Sequence, residues 1–175
     1  MSKASLIDLY YGDESRVCLE PCVPYGWQFS DEDVFMPCAK GKGLNCFGLL
    51  SRSNQFKFRT STANISSAFI FDYLEQLSFT LKKMTVIVLD NASVHTAKII
   101  QDRRQVWEAR GLVLFYLPKH SPHLNLIEIL WRMLKYLWLK PEDYAEEQLL
   151  FYQTTLALAA VGTSLNINFS DFSSV

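Results

Sequence analysis

No stretch of this 175-residue chain approaches the run of roughly 20 apolar residues that a membrane-spanning helix needs. Its most apolar segment, residues 149–161, is interrupted by Gln153, Thr154 and Thr155. A secretory leader is missing as well: Lys3 is the one basic residue near Met1, and residues 6–11 are too few to form an apolar leader core. A soluble, cytoplasmic protein is the expectation. The chain also lacks an excess of positive charge. Its 17 Lys and Arg face 18 Asp and Glu, a formal net charge of −1, so tight nucleic-acid binding by this chain alone is not expected. The count treats every carboxylate as bare negative charge, which a bound cation would cancel. The cysteines Cys18, Cys22, Cys38 and Cys46 include no C-x-x-C pair, and no His-x3–5-His follows. Reduced thiols are expected in place of a zinc site. Repeats and low-complexity tracts are absent. What is present is an ordinary globular balance, 49% hydrophobic and 20% charged, which suffices to bury a core and excludes disorder over most of the length. The length suits one domain, taken as residues 1–165, with a C-terminal tail at 166–175.

The order of elements carries more information. Residues 6–12 (LIDLYYG) are β-prone and end at Asp13-Glu14-Ser15; residues 16–20 read as a second short strand stopped by Pro21. A turn-rich stretch at Pro24-Tyr25-Gly26-Trp27 and a flexible Lys40-Gly41-Lys42-Gly43 loop precede a third strand, residues 44–51. Together they predict an antiparallel meander. Ile65, Phe69, Tyr73, Leu74 and Leu77 then recur at helical spacing over residues 64–79. TVIVL at 85–89 is a continuous apolar run of the kind buried on both faces of a parallel sheet. A helix over 96–110 stopped by Gly111, a buried strand at 112–117, a helix over 126–140 ended by Pro141 and a last helix over 146–161 complete the pattern. The resulting βββ-α-β-α-β-α-α order predicts an α/β fold. Its central mixed sheet has five strands, three antiparallel and two parallel, with helices on both faces.

Three acids stand at element ends: Asp13 after the first strand, Asp90 after the fourth, and Glu128 in the first turn of the helix after the fifth. The crevice beyond the carboxyl ends of parallel strands is a common site position. Three carboxylates brought together without basic partners repel one another, and a divalent cation is the natural compensation. Oxygen-only ligands favour magnesium or manganese. Two such ions can clamp the attacking and leaving oxygens of a phosphodiester displacement. Taken singly, each acid has a plainer reading. Asp13 suits a turn at Gly12-Asp13-Glu14-Ser15, and Asp90-Asn91 another. Asn125 and Glu128 fit a capping box, and Glu128 can pair with Arg132 one turn on. Only the three together favour a metal site. An Asp directly after a buried apolar run is also costly to desolvate unless it is paired or ligating.

Asp90-Asn91-Ala92-Ser93-Val94-His95, followed by Leu117-Pro118-Lys119-His120-Ser121-Pro122-His123-Leu124-Asn125-Leu126-Ile127-Glu128-Ile129-Leu130-Trp131, resembles the second and third signature blocks of DDE transposases. The likeness is to the mariner superfamily in its bacterial insertion-sequence branch. Asp13-Glu14-Ser15, with Val23-Pro24-Tyr25-Gly26-Trp27-Gln28, resembles the first block. Departures flank Glu128: relatives commonly have proline where Lys119 and Leu126 stand, and an aromatic where His120 stands. The resemblance implies a ribonuclease H-like fold with the first and fourth strands adjacent, and Asp13, Asp90 and Glu128 as the catalytic, metal-holding triad. It further implies cleavage of DNA at element ends, then strand transfer into target DNA, usually at a TA dinucleotide. Relatives carry helix-turn-helix domains ahead of the first block. The expectation here is a catalytic domain with that region absent, whether as a fragment, a separate reading frame joined by frameshifting to a helix-turn-helix polypeptide, or a degenerate remnant, with a homodimer in the active complex, nucleoid-associated when on DNA.

Asn91, His95 and Asn125 are the supporting candidates: His95 could orient Asn91 or touch the scissile phosphate. His120, Lys119, Arg132 and Lys135 are the DNA-contact candidates, with His123, Lys40, Lys42, Lys82, Lys83, Arg103 and Arg104 behind them. Trp27, Trp107, Trp131 and Trp138 are expected in the core, and the acidic cluster Glu142, Asp143, Glu146 and Glu147 away from DNA. Two readings stand beside the transposase: an inactive remnant serving as a DNA- or protein-interaction module, and another nuclease on the ribonuclease H-like fold.

Overall fold

The computed structural model describes residues 6–20, 43–119 and 121–169. Cys22, Cys38, Trp27, Lys40, Lys42, the 24–27 turn, most of the 40–43 loop and His120 lie outside them. Five strands form one sheet in the order β3-β2-β1-β4-β5. β1 (Asp8–Val17), β2 (Leu44–Leu50) and β3 (Phe56–Ser61) are an antiparallel meander; β4 (Thr85–Leu89) runs parallel to β1, and β5 (Leu112–Tyr116) parallel to β4. The predicted mixed sheet and the adjacency of the first and fourth strands are both present.

Two strand assignments change. Residues 6–12 and 16–20 are not separate strands: β1 runs unbroken through Asp13-Glu14-Ser15, so Asp13 sits within a strand and not at its end. The true third strand, β3, was missed. Its alternation of Phe56 and Phe58 with Lys57 and Arg59 is the period-2 signal of a half-buried edge strand.

β2 is buried at every position because both faces of the sheet are covered. Cys46 and Leu50 join one core with α3 (Ile127–Met133) and α4 (Glu147–Ala160). Phe47 and Leu49 point the other way, into a second core with α1 (Ser67–Ser78) and α2 (Lys98–Ala109). This alternation is the pleat read out as two cores. Gly111 ends α2 at φ +89°, a left-handed turn that glycine adopts without strain.

The helix predicted over 126–140 is shorter. α3 stops at Met133 and the chain widens into a π turn over Leu134–Trp138, closed by Leu139 N–H donating to the Leu134 carbonyl at 3.0 Å. Such turns are rare and often mark functional segments. The stretch set apart as a tail is partly core: Ile167 is buried, and its backbone makes two hydrogen bonds, 2.7 and 3.0 Å, with the Asn54 side chain.

Candidate active site

Strand register brings the first two acids together. Tyr11 of β1 pairs with Val88 of β4. Continued two residues past its last pair, that register would bring Asp13 level with Asp90, the residue that follows β4. Asp13 lies two residues beyond Tyr11, on the sheet face covered by α3. Glu128 enters from the first turn of that helix. Gly48 lets the helix come this close: a Cβ there would lie 2.7 Å from the Phe56 ring and 3.2 Å from Ile127 Cδ1. Ile127, fully buried, thus packs directly on the sheet beside Glu128.

A second tie fixes the helix start. Asn125 is buried, and its amide donates to the Gly12 carbonyl at 3.0 Å, next to Asp13. This overturns the capping-box reading, because α3 has no side-chain cap and Asn125 spends its donor on β1. The alternative Glu128–Arg132 pair also does not form; among the described residues no ion pair joins them.

Asp90 is held by its own loop. Its Oδ1 accepts from Ala92 N–H at 2.9 Å, an Asx turn, and lies 2.6 Å from His95 Nδ1. The loop is pinned at both ends: Asn91 donates to the Leu117 carbonyl, and the Tyr116 hydroxyl donates to the His95 carbonyl at 2.9 Å. His95 therefore orients Asp90 directly, not Asn91 as expected. Its ring is fully buried, and Nε2 lies 2.8 Å from Glu14 Oε2. That approach is close enough for an ion pair but misses hydrogen-bond alignment, and neither atom has another partner. Burial opposes charge on His95. The bond to Asp90 and the contact with Glu14 outweigh it and raise the imidazole to about 9. The same bond to His95 draws Asp90 below its ordinary value against the opposing effect of its burial.

Asp13 shows the opposite effect. Burial foremost, then the charges of Glu14, Glu128 and Asp90, push it up to about 8, against a hydrogen bond from the Glu14 backbone. Asp13 and Glu128 share a cleft of about 340 Å³ with Glu14, Ser15, Arg16, Trp131, Arg132, Lys135 and Tyr136. Among the described residues no three His, Cys, Asp or Glu side chains are gathered tightly enough to enclose an ion as they stand.

The pattern of acids and fold has a counterpart at the level of whole sequence: the family description "DDE superfamily endonuclease" matches residues 8–150. The chain belongs to the DDE superfamily of endonucleases. The fold of this DDE domain is similar to that of the Mos1 transposase in its paired-end complex with the left transposon end. That match has a TM-score of 0.54 at 15% identity and covers 90% of this chain and 54% of that one. The Mos1 mariner paired-end complex with Mn matches at 0.54 and 16% identity, over 93% of this chain and 54% of that one. A simian T-cell lymphotropic virus intasome matches at 0.62 and 13%, over 95% and 52%. At these identities the likeness is one of fold, the ribonuclease H-like sheet with its helices. The DDE domain spans about half the length of the chains it matches. Among curated proteins no sequence matches it significantly.

The DNA-contact candidates divide. Arg132 and Lys135 line the acidic cleft of the DDE domain. Lys119 is exposed on the loop before α3. His123 faces a separate cavity beside Tyr11, Phe115 and Leu124. Arg103 is committed elsewhere, bonded to Glu75 at 2.6 and 3.0 Å, and Arg104 donates to the Leu114 carbonyl. Lys83 pairs with Asp8 at 2.8 Å. Trp107 and Trp131 are core as expected, and Trp131 also floors the cleft. Asp143 of the acidic cluster is turned inward, accepting from the Lys140 backbone at 2.8 Å. Glu14 and Arg16 were not singled out from sequence. Strand alternation alone would have placed Glu14 on the face opposite Asp13; its partner His95, 81 residues away, carries no local signal.

Proposed function

We propose that this domain cleaves DNA strands and transfers them to new sites, as the catalytic domain of a mariner-superfamily transposase of the insertion-sequence branch. Asp13, Asp90 and Glu128 would hold a pair of Mg²⁺ or Mn²⁺ ions. The observation that supports this reading is that Asp13 of β1 and Glu128 in the first turn of α3 line one cleft, while Asp90 follows directly on β4, the parallel neighbour of β1. The donor set fits the ions, because carboxylate oxygens are hard anionic ligands. Burial first, then the neighbouring carboxylates, push Asp13 up, and a bound cation would offset both.

When bound, the ions would activate the attacking hydroxyl and neutralise charge building on the scissile phosphate. The chain does the rest. His95 and the Ala92 N–H occupy Asp90 Oδ1, leaving Oδ2 to ligate. Asp13, as the carboxylate, and Glu128 from the first turn of α3 would supply the other ligands. Arg132 on α3 and Lys135 in the π turn after it line the same cleft as Glu128 and would meet backbone phosphates. The near-neutral charge of the chain fits a domain that works beside a separate DNA-reading helix-turn-helix part and as a homodimer.

The test is nicking of element-end DNA with Mn²⁺. Asp90→Ala should lower nicking by about 1,000-fold or more while circular dichroism stays unchanged. Undiminished nicking by that variant refutes the reading. Joined products distinguish a transposase from a hydrolase of the same fold, which would give only cleavage. A Mn²⁺-dependent rise in melting temperature that Glu128→Gln weakens distinguishes a live site from a remnant.

A further inference from the structure

β1 presents Asp13 on one face of the sheet and Glu14 on the other. The Glu14 carboxylate reaches His95 Nε2 at 2.8 Å, and His95 Nδ1 reaches Asp90 Oδ1 at 2.6 Å. The imidazole between them has no exposed surface and lies tilted beside Phe47, ring centroids 6.3 Å apart at 56°. Neither Nε2 nor Glu14 Oε2 has another partner. The three side chains make a bridge from β1, one residue from the first acid, to the second acid after β4.

We propose that Glu14 is a positioning residue of the active site, acting through His95 on Asp90. Its carboxylate holds the far ring nitrogen, so the near one stays aimed at Asp90 Oδ1 and the other Asp90 oxygen is left for a cation. Without Glu14, Nε2 is buried with no polar partner. The ring must then turn to find a partner, and Asp90 loses its fixed orientation. Because Glu14 adjoins Asp13 in the same strand, the bridge also couples the positions of the two acids. Partners one step behind a metal ligand typically change metal affinity or activity by about 10–100-fold when removed.

This inference rests on the metal-site reading above, and its test keeps the two apart. Mn²⁺ affinity of the purified domain is measured by titration calorimetry and by the Mn²⁺-dependent shift in melting temperature. Asp13→Asn marks loss of the site itself, and Glu75→Gln serves as a structural control remote from it. Glu14→Gln should weaken Mn²⁺ binding about 10-fold or more, with nicking restored toward the wild-type rate at saturating Mn²⁺. His95→Asn keeps a donor near Asp90 but loses the reach to Glu14, and it should show the same defect. The double variant should be no worse than either single one, as expected of residues on one path. Glu75→Gln should lower the melting temperature without moving Mn²⁺ affinity. Equal Mn²⁺ affinity in wild type and Glu14→Gln overturns the proposal while leaving the site reading intact. Additive losses in the double variant overturn the route through His95. Absence of Mn²⁺ binding by the wild type overturns both. If Glu14→Gln does not fold, His95→Asn is decisive alone: unchanged Mn²⁺ affinity there rejects the bridge.

Discussion

At Asp13 the cost of burying a carboxylate and the repulsion of its neighbours act together, and the group holds its proton to about pH 8. A cation can bind only the carboxylate form, so binding at pH 7 must expel that proton. Mn²⁺ titrations at pH 7 should therefore release up to about one proton, seen as heats that vary with the ionisation enthalpy of the buffer. The release should fade at pH 9 and vanish in Asp13→Asn. Buffer-independent heats at pH 7 would contradict this account. Asn125 makes a different case. Its amide is tied to the Gly12 carbonyl, but its Oδ1 has no partner. Asn125→Ala loses one hydrogen bond and also removes an unpaired acceptor, so the cost should be only about 1 kcal/mol by urea unfolding. Nicking should fall further than stability does, because that tie sets where α3 begins and hence where Glu128 stands.

Elements divide the work between support and chemistry. α1 and α2 cover the sheet face away from Asp13 and are clasped by Glu75, which accepts from Arg103, Trp107 at 2.7 Å and Arg110 at 2.9 Å. These bonds, the Arg103 pair foremost, hold Glu75 down to about 2, against some burial. A depressed carboxylate stabilises the fold fully above its ordinary value of 4.5 and loses that effect as pH falls toward 2. Glu75→Gln should lower the melting temperature at pH 7 by about 2–4 °C, a modest effect because water reaches and screens the pairs. The gap from wild type should close as pH drops from 4.5 toward 2. A gap that stays constant over that range would mean the clasp is not ionic. On the opposite face α3 is cut to seven residues before the π turn, which leaves Glu128, Arg132 and Lys135 on one short, sheet-anchored segment.

For the molecule as a whole, the net charge of −1 sets the balance between repelling and binding DNA. Arg16, Arg132 and Lys135 concentrate positive charge in the acidic cleft, where bound ions would add to it. DNA binding by the isolated domain should be weak and salt-sensitive. With few phosphate contacts, log affinity should fall with log salt at a slope of about −0.9 per contact, so roughly −2 to −3 here. Arg132→Ala should reduce that slope by about one contact, measured by fluorescence anisotropy with and without Mn²⁺. A slope unchanged by that substitution would remove Arg132 from the interface.

The sequence by itself determined the α/β class, the two-faced sheet, the buried parallel strand ahead of Asp90 and the family. Each of these is written in local pattern: a five-residue apolar run, a helical spacing, a signature block. Local pattern was less reliable where one residue serves two ends. Asp13-Glu14-Ser15 has turn chemistry, yet pairing with β2 on one side carries β1 straight through it. Asn125 has cap chemistry, yet a carbonyl on β1 claims its amide. β3 carries only a short alternation, Phe56 and Phe58 against Lys57 and Arg59, before the polar Thr60 and Ser61 end it. Only the tertiary structure decided that Glu14 meets His95, that Asn125 meets Gly12, and that Arg103 serves Glu75. Such partners lie tens of residues apart along the chain, and no periodicity records which side chains a sheet and its helices will press together.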